Sequence, residues 1–203
     1  MKNTYFITGI DTEIGKTIIS AILTEALQAD YWKPVQAGDL DNSDTMKVQG
    51  LISNSKSKFH PERYRLNHPM SPHAAADLDK VKIKLTDFEL PKIENTLLIE
   101  GAGGLYVPLN HEDCMIDLIK YLKIPVILVS QNYLGSINHT LLSINALKSK
   151  GIPIYGVIFN GKENEATEVV IEKMGDVKIL GRVGQLEKID KNTIQQAGNF
   201  LNF

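Results

Sequence analysis

A lysine and a threonine follow a glycine-bounded loop near the start of the chain, and these residue types can bind a polyphosphate. An apolar run precedes Gly9, and Lys16 and Thr17 directly follow Gly15 and open a segment with helically spaced apolar residues. The free N–H groups of such a helix start bind phosphate oxygens, the lysine neutralises the terminal phosphates, and the threonine hydroxyl ligates Mg²⁺. Five residues separate the two glycines, one more than in the common pattern. The stretch predicts a phosphate-binding loop, with an ordinary strand-to-helix turn as the alternative.

Short apolar runs without polar alternation predict the elements that position this loop. Such runs are typical of strands covered on both faces, and they occupy residues 5–7, 97–99, 126–129 and 155–159, with weaker candidates at 31–33 and 177–180. Helical spacing recurs between them at residues 116–122, 141–147 and 169–174. The alternation predicts an α/β fold, a three-layer sandwich with a mostly parallel central sheet. Ligands bind at the carboxyl ends of such strands, so the residues that follow each run are the candidates for function.

Two charged residues follow predicted strands directly. Lys33 ends a short apolar run before Pro34, where it is either a fixed positive charge in the cleft or a surface lysine. Glu100 follows the run at 97–99, where an unpaired carboxylate would be costly. A bound Mg²⁺ would remove that cost, and an ion pair with a lysine is the alternative. We favour the metal because the phosphate-binding loop already implies Mg²⁺.

Three aspartates, Asp39, Asp41 and Asp44, lie within six residues. The apolar residues at positions 46–52 predict a helix that Ser43 or Asn42 caps. A carboxylate at a helix start is stabilised by the helix dipole whether or not it binds a metal. The spacing alone therefore favours capping over metal binding.

Later strand ends carry weaker signals. Gly135-Ser136 predicts a helix start with Ser136 as its cap, whose free N–H groups suit a carboxylate. His139 on that helix is either a general base or a structural residue. Asn160-Gly161 is either an amide that reads a nucleotide base or a simple turn. Cys114, the single cysteine, is more typical of a core residue than of a nucleophile.

Composition limits the classes of partner. The chain has 203 residues, which predicts one domain over 1–203, and its net charge of −2 gives no electrostatic case for binding nucleic acid or a membrane surface. One cysteine excludes an intramolecular disulfide and suits a reducing compartment. The N-terminal residues show no signal-peptide pattern, and no apolar run has transmembrane length. We expect a cytoplasmic protein.

Six short motifs, in order along nearly the whole chain, resemble those of the dethiobiotin synthetases, a P-loop NTPase-like family of ATP-dependent cyclo-ligases in biotin biosynthesis. They are the loop from Gly9 to Thr17 with its extra residue, Lys33-Pro34-Val35, Asn42-Ser43-Asp44, Pro69-x-Ser71-Pro72-His73, Glu100-Gly101-Ala102-Gly103-Gly104 and Leu134-Gly135-x-Ile137-Asn138-His139.

The resemblance implies roles for individual residues. Lys33 and Lys16 would be catalytic, and Thr17, Asp44 and Glu100 would ligate Mg²⁺. The implied ATP-binding set is Glu13, Ile14, Gly15, Lys16, Thr17, Ile18, Asp44, Glu100, Gly101, Ala102, Gly103, Asn160 and Gly161. The implied substrate-binding set is Thr12, Lys33, Leu134, Gly135, Ser136 and Asn138.

The resemblance also implies a reaction and an assembly. 7,8-Diaminononanoate takes up CO₂ or bicarbonate carbon as a carbamate, ATP phosphorylates the carbamate, and the second amine closes a cyclic urea. The distal carboxylate would be held by the helix start near Gly135 of a second copy, which implies a homodimer with a shared site.

Two segments depart from the family pattern. Gln36-Ala37 stands where relatives often place a small residue and a substrate-contacting serine, which implies a missing hydroxyl contact. The segment from Gly181 to Leu186 lacks the proline of the family's base-binding loop. We therefore hypothesise looser discrimination among nucleotides, which comparison of several nucleoside triphosphates as substrates would test.

Two other functions share the predicted fold. A partition or site-placing switch ATPase would carry a second lysine early in the phosphate-binding loop, where this chain has Asp11-Thr12-Glu13. The synthetase half of a cobyrinate-type amidotransferase would need a separate glutaminase with a nucleophilic cysteine. Stimulation of ATP hydrolysis by diamine and bicarbonate would favour a dethiobiotin synthetase over these alternatives, whereas stimulation by DNA or lipid would favour the switch ATPase.

Overall fold

The computed structural model describes residues 3–203, and its centre is a seven-stranded parallel sheet. The strands of the chain are β1 (Thr4–Gly9), β2 (Asp30–Trp32), β3 (Val35–Ala37), β4 (Phe59–His60), β5 (Tyr64–Leu66), β6 (Leu97–Gly104), β7 (Val126–Gln131), β8 (Ile154–Asn160) and β9 (Ile179–Val183). The order in the central sheet is β4-β2-β6-β1-β7-β8-β9, and β3 and β5 form a separate parallel pair. The β1 strand is central, between β6 and β7.

Seven helices connect and cover these strands. They are α1 (Lys16–Leu27), α2 (Asp44–Leu51), α3 (Pro72–Leu78), α4 (Met115–Leu122), α5 (Ser136–Ser149), α6 (Glu165–Gly175) and α7 (Lys191–Ala197). Short 3₁₀ turns occupy Leu40–Asn42, Leu85–Asp87 and Gly198–Phe200. Within residues 3–203, no helix combines the length and apolar content that crossing a bilayer requires.

Two apolar cores lie on opposite faces of the sheet. Ile7 of β1 packs with Ile22 of α1 and with α2 and α7, whereas the adjacent Phe6 packs on the other face with residues of α4, α5 and α6. This division follows from the alternation of side chains along each strand, since both faces of a parallel sheet are covered. The predicted three-layer sandwich with a mostly parallel sheet is confirmed.

Element boundaries differ from the sequence-based expectation in several places. The apolar run at 97–99 predicts a strand that ends before Glu100, but β6 continues through Glu100 to Gly104, and the unpredicted β3 begins directly after Pro34. The predicted strand at 177–180 begins later, as β9 at Ile179, because Asp176 takes a left-handed conformation that ends α6 and the next residues form the connection. The pattern of residues 56–92 leaves their structure unassigned, and they contain β4, β5 and α3. Strands of two and three residues are too short for a periodic pattern to reveal.

Candidate active site

The phosphate-binding loop connects β1 to α1 in the predicted way. Gly15 is the N-terminal cap of α1 with φ +88°, a conformation that favours glycine. A Cβ atom at this position would lie 2.1 Å from Nδ2 of Asn160, which donates a hydrogen bond to the carbonyl oxygen of Ile14 at 2.8 Å. Asn160 therefore braces the loop from the end of β8, and the loop admits no side chain at Gly15.

Lys16 is buried at the start of α1, with 7% of its surface exposed. Its Nζ atom donates a hydrogen bond to the carbonyl oxygen of Asp11 at 2.8 Å. Burial lowers the pKa of Lys16 to about 8, although the nearby carboxylates of Glu100, Asp44 and Asp11 act against that shift. The ammonium is therefore held inside the loop with a proton that is easily lost.

Lys33 lies between two carboxylates beside this loop. Its Nζ atom is 2.7 Å from Asp44 Oδ2 and 3.0 Å from Glu100 Oε1, and it also donates to the carbonyl oxygen of Gly101 at 3.0 Å. Burial alone would lower the pKa of Lys33, but the charges of Glu100 and Asp44 and their hydrogen bonds raise it. Lys33 is therefore a fixed ammonium at the end of β2, one of the alternatives that the sequence left open.

Glu100 lies at the middle of β6 and is 1% exposed. Its Oε1 accepts hydrogen bonds from Thr17 Oγ1 at 3.0 Å and from Lys33, whereas Oε2 accepts one from the Tyr31 hydroxyl at 2.9 Å. Three donors compensate the cost of burying this carboxylate. The donor from Tyr31 was not predicted, although its spacing of two residues from Lys33 in an extended segment places both on one face.

Asp44 is the first residue of α2 and is held there by several side chains. Ser43 caps the helix by accepting from the Met46 N–H at 3.3 Å, which confirms the capping prediction. The Asp44 N–H donates to Gln36 Oε1 at 3.1 Å. Burial would raise the pKa of Asp44, but the ammonium of Lys33 lowers it below its ordinary value. Asp44 thus stays ionised. It lies at the start of α2 and also forms an ion pair with Lys33.

Glu62 is another residue that supports the start of α2, and the sequence did not predict this role. Its Oε1 accepts a hydrogen bond from Thr45 Oγ1 at 2.7 Å and lies 3.4 Å from Ser43 Oγ. This carboxylate therefore ties the first turn of α2 to the segment between β4 and β5. No spacing signal connects Glu62 to Asp44, because the contact depends on how two irregular segments meet.

A cavity of about 750 Å³ joins these groups, and most of the predicted site residues line it. Among its lining residues are Thr12, Glu13, Gly15, Lys16, Thr17, Ile18, Lys33, Asp44, Glu100, Ala102 and Gly103. Residues 69–72 form another wall, ahead of and at the start of α3. Ile14 and Gly101 are not among the lining residues. The carbonyl oxygen of Ile14 accepts a hydrogen bond from Asn160, and that of Gly101 accepts one from Lys33, which does line the cavity.

The other predicted site residues lie outside this lining. Gly161 takes a φ of +93° just after β8, and Leu134, Gly135, Ser136 and Asn138 form the start of α5. Gly135, with φ +101°, is the N-terminal cap of α5, so the prediction of Ser136 as the cap was wrong. Ser136 lies one residue inside the helix, and its Oγ accepts from the Tyr133 N–H at 3.3 Å. The side chain of Leu134 is fully exposed.

The structure gives the surroundings of Cys114 and His139, for which the sequence allowed either a catalytic or a structural role. The Cys114 side chain packs against the core on the α4 side, and burial raises the pKa of its thiol, so it is poorly suited to act as a nucleophile. His139 Nδ1 lies 2.7 Å from the Tyr133 hydroxyl on the surface.

The donor set at the cavity fits a magnesium ion. Thr17, Asp44 and Glu100 present hydroxyl and carboxylate oxygens, which are the ligands that Mg²⁺ prefers. The position between the two carboxylates already accommodates a positive charge, that of the Lys33 ammonium. Among residues 3–203 no cluster of three acidic, histidine or cysteine side chains forms a metal cage. Magnesium in nucleotide sites uses one or two carboxylates together with phosphates, so two carboxylates suffice.

Comparison with known proteins gives one family over nearly the whole chain. A family model described as an AAA domain matches residues 3–193. The ATP-dependent dethiobiotin synthetase BioD of Christiangramia forsetii is 54% identical and covers 97% of this chain and 94% of the relative. The enzyme of the same name from Cytophaga hutchinsonii is 51% identical, with 94% and 92% covered.

Solved structures with the same fold are more distant. The septum site-determining protein MinD with Mg-ADP from Pyrococcus horikoshii has a TM-score of 0.59 at 16% identity and covers 97% of this chain and 86% of its own. A ParA family ATPase from Chlorobium tepidum has a TM-score of 0.56 at 15% identity, with 99% and 100% covered. At these identities the likeness shows the fold alone, which confirms the prediction of a P-loop NTPase-like sandwich. The sequence relatives are decisive: this chain belongs to the family of ATP-dependent dethiobiotin synthetases.

Proposed function

We propose that this chain catalyses the ATP-dependent closure of a cyclic urea from 7,8-diaminononanoate and CO₂, which forms dethiobiotin. One observation of the molecule carries the proposal beyond family membership. The Lys33 ammonium lies 2.7 Å from Asp44 and 3.0 Å from Glu100, in the same cavity as Lys16 and the first turn of α1. This arrangement brings fixed charge of both signs to the end of a phosphate-binding loop.

The chemistry runs in three balanced steps. One amine adds to CO₂ and loses a proton to give a carbamate. A carbamate oxygen attacks the γ-phosphorus of ATP, and the bond from this phosphorus to the bridging oxygen of the β-phosphate breaks. The products of this step are ADP and a carbamic-phosphoric anhydride. The second amine then attacks the carbonyl carbon, inorganic phosphate leaves, and the five-membered urea closes with loss of a proton.

The residues of the cavity have electrostatic tasks in this sequence. The N–H groups at the start of α1 and the Lys16 ammonium bind the phosphate chain. The Lys33 ammonium faces the carbamate and the γ-phosphate and offsets the repulsion between two anions. Thr12 contacts the carbamate or the diamine from the loop. No covalent intermediate with the protein is needed.

A magnesium ion would bind to Thr17, Asp44 and Glu100 together with the phosphates. When bound, it supplies charge neutralisation and polarisation of the phosphate oxygens. The chain's contribution is to hold the two carboxylates in place and directed at the cavity. Tyr31, Thr17 and Lys33 hold Glu100, and Gln36 holds the N–H of Asp44.

The distal carboxylate of the diamine would be bound by the start of α5 of a second copy, in a cytoplasmic homodimer. Two features of the described chain support this proposal. The α5 start lies outside the lining of the cavity, and Leu134 and Ile137 expose apolar side chains beside it. A surface of this kind suits contact with another chain.

The direct test is an assay of purified protein with ATP, Mg²⁺, 7,8-diaminononanoate and bicarbonate. We expect dethiobiotin by mass spectrometry and one ADP per product, with little ADP when the diamine is omitted. Substitution of either Lys16 or Lys33 by alanine should lower kcat by roughly 10²- to 10³-fold, as for other fixed electrostatic donors. ATP hydrolysis that responds to DNA or lipid vesicles but not to the diamine would refute the proposal.

A further inference from the structure

Tyr31 is a fully buried tyrosine whose hydroxyl reaches the candidate active site from the core. It lies in β2, its exposed fraction is 0%, and its ring packs near Phe59 with 5.9 Å between the ring centroids. The hydroxyl donates to Glu100 Oε2 at 2.9 Å.

The two oxygens of Glu100 have different partners. Oε2 is directed at Tyr31, whereas Oε1 accepts from Thr17 and Lys33, both of which line the cavity. The last torsion of a glutamate side chain is broad, so burial among apolar groups does not by itself fix the plane of the carboxylate. A donor to one oxygen helps to fix that plane, and with it the direction of the other oxygen.

Strand register explains why Tyr31 is in position to do this. Tyr31 pairs with Leu98 and Trp32 with Ile99, so β2 runs alongside the part of β6 that leads to Glu100. Tyr31 and Lys33 are two residues apart, and both reach the same carboxylate. The short strand β2 thus supplies a hydroxyl donor to Oε2, and the residue that follows it supplies an ammonium donor to Oε1.

We infer that Tyr31 is a positioning residue, which holds Glu100 so that Oε1 stays directed at Thr17, Lys33 and the cation that accompanies ATP. The inference rests on the proposed function, because it assigns Glu100 to the metal. Tyr31 itself does not line the cavity. Loss of such an outer partner typically weakens metal binding by roughly 10- to 100-fold.

The test compares Tyr31→Phe with a matched variant, Tyr64→Phe. Tyr64 is also buried, and its hydroxyl donates to the Asp87 carboxylate outside the cavity lining. Both changes remove one tyrosine-to-carboxylate hydrogen bond and keep the ring. The probe is Mn²⁺, titrated into each protein with a non-hydrolysable ATP analogue and followed by the electron paramagnetic resonance signal of free Mn²⁺.

We expect Tyr31→Phe to bind Mn²⁺ roughly 10- to 100-fold more weakly than the parent protein, and Tyr64→Phe to remain within about twofold. In turnover, the Mg²⁺ concentration for half-maximal rate should rise for Tyr31→Phe alone, with kcat at saturating Mg²⁺ changing less. Equal Mn²⁺ affinity for Tyr31→Phe and the parent protein, with both folded by circular dichroism, would overturn the inference.

A second measurement does not depend on whether a variant folds. In a crystal structure of the parent protein with Mg²⁺ and the ATP analogue, Glu100 Oε2 should remain within hydrogen-bond distance of the Tyr31 hydroxyl. A Glu100 that has turned away from Tyr31 would overturn the inference. Failure of the proposed function is recognised separately, as a parent protein that binds Mn²⁺ and nucleotide but forms no dethiobiotin.

Discussion

At the scale of single residues, the proposed site places a lysine ammonium and a divalent cation in competition for the carboxylates of Asp44 and Glu100. The Lys33 ammonium contacts both Asp44 and Glu100, so a divalent cation bound to these carboxylates as proposed would share their oxygens with it. Removing one partner of a buried ion group typically costs about 3–5 kcal/mol, because the remaining charges are left uncompensated. A cation that binds there would recover part of that cost.

Substitution Lys33→Met therefore has two opposite expected effects. Turnover should be nearly lost, whereas binding of Mn²⁺ without nucleotide should become at least several-fold tighter, because the internal competitor is gone. Calorimetric titration with Mn²⁺ measures the second effect. The control is Lys47→Met, which changes a half-buried lysine whose Nζ is 3.7 Å from Asp44. Weaker Mn²⁺ binding in Lys33→Met than in the parent protein would contradict this account.

The lowered pKa of Lys16 predicts how nucleotide affinity changes with pH. Its pKa of about 8 means that the ammonium is present below pH 8 and is lost as the pH rises above it. The bound phosphates would hold the proton, so affinity for a non-hydrolysable ATP analogue should be constant near pH 7 and about tenfold weaker at pH 9. Fluorescence titration across this range is the measurement. Lys16→Arg should not show the change, and a flat profile for the parent protein would refute the assignment.

The residue scale also shows what the sequence could predict. The residues that follow buried apolar runs identified Lys33 and Glu100, because such polar residues are few. Lys33 does follow the end of β2, whereas β6 continues past Glu100 to Gly104. Tyr31, Gln36 and Glu62 were not assigned as supports, since their contacts join segments whose approach is decided by packing. The supporting contacts were therefore less predictable than the charged groups that they hold.

At the scale of elements, the start of α2 determines where Asp44 lies. Ser43 caps the helix and its Oγ also lies near Glu62, while Thr45 donates to that same carboxylate. Helix α6 has a comparable cap at Asn164, which accepts from the Thr167 N–H at 3.1 Å. The two helices differ in their first residue. Asp44, which opens α2, lines the cavity, whereas Glu165, which opens α6, does not.

This difference gives a paired prediction. Ser43→Ala and Asn164→Ala should each lower the free energy of unfolding by about 1 kcal/mol, the usual cost of a lost cap. Ser43→Ala should also raise the Mg²⁺ concentration for half-maximal turnover, whereas Asn164→Ala should not. Chemical denaturation and a Mg²⁺ titration of activity measure both quantities. Equal Mg²⁺ dependence in the two variants would show that the cap does not position Asp44.

At the scale of the whole molecule, the fold class could be predicted from the sequence and the assembly could not be tested. Five apolar runs that match strands of the central sheet, β1, β2, β6, β7 and β8, were enough to predict a parallel sandwich. The single domain, the homodimer and the shared site remain predictions, because one chain does not show which surface meets a partner. The exposed start of α5 is where that question is tested.

Mixing two inactive variants tests the shared site. Asn138→Asp adds a negative charge at the third residue of α5, which favours the helix but repels a substrate carboxylate. Refolded together in equal amounts with Lys33→Met, it should recover about a quarter of the parent activity, since half of random dimers carry one intact site. Asn145→Asp, the same change on the exposed face of α5, should stay active. No recovery from two soluble dimeric variants would place the whole site within one chain.

The most direct measurement follows oxygen from CO₂ into phosphate. In a single turnover with ¹⁸O-labelled CO₂, the carbamate oxygen that attacks the γ-phosphorus must leave with the phosphate when the ring closes. We therefore predict inorganic phosphate that carries one ¹⁸O atom and dethiobiotin that carries one ¹⁸O atom in its urea carbonyl group. Unlabelled phosphate, formed at the same rate as dethiobiotin, would contradict the account.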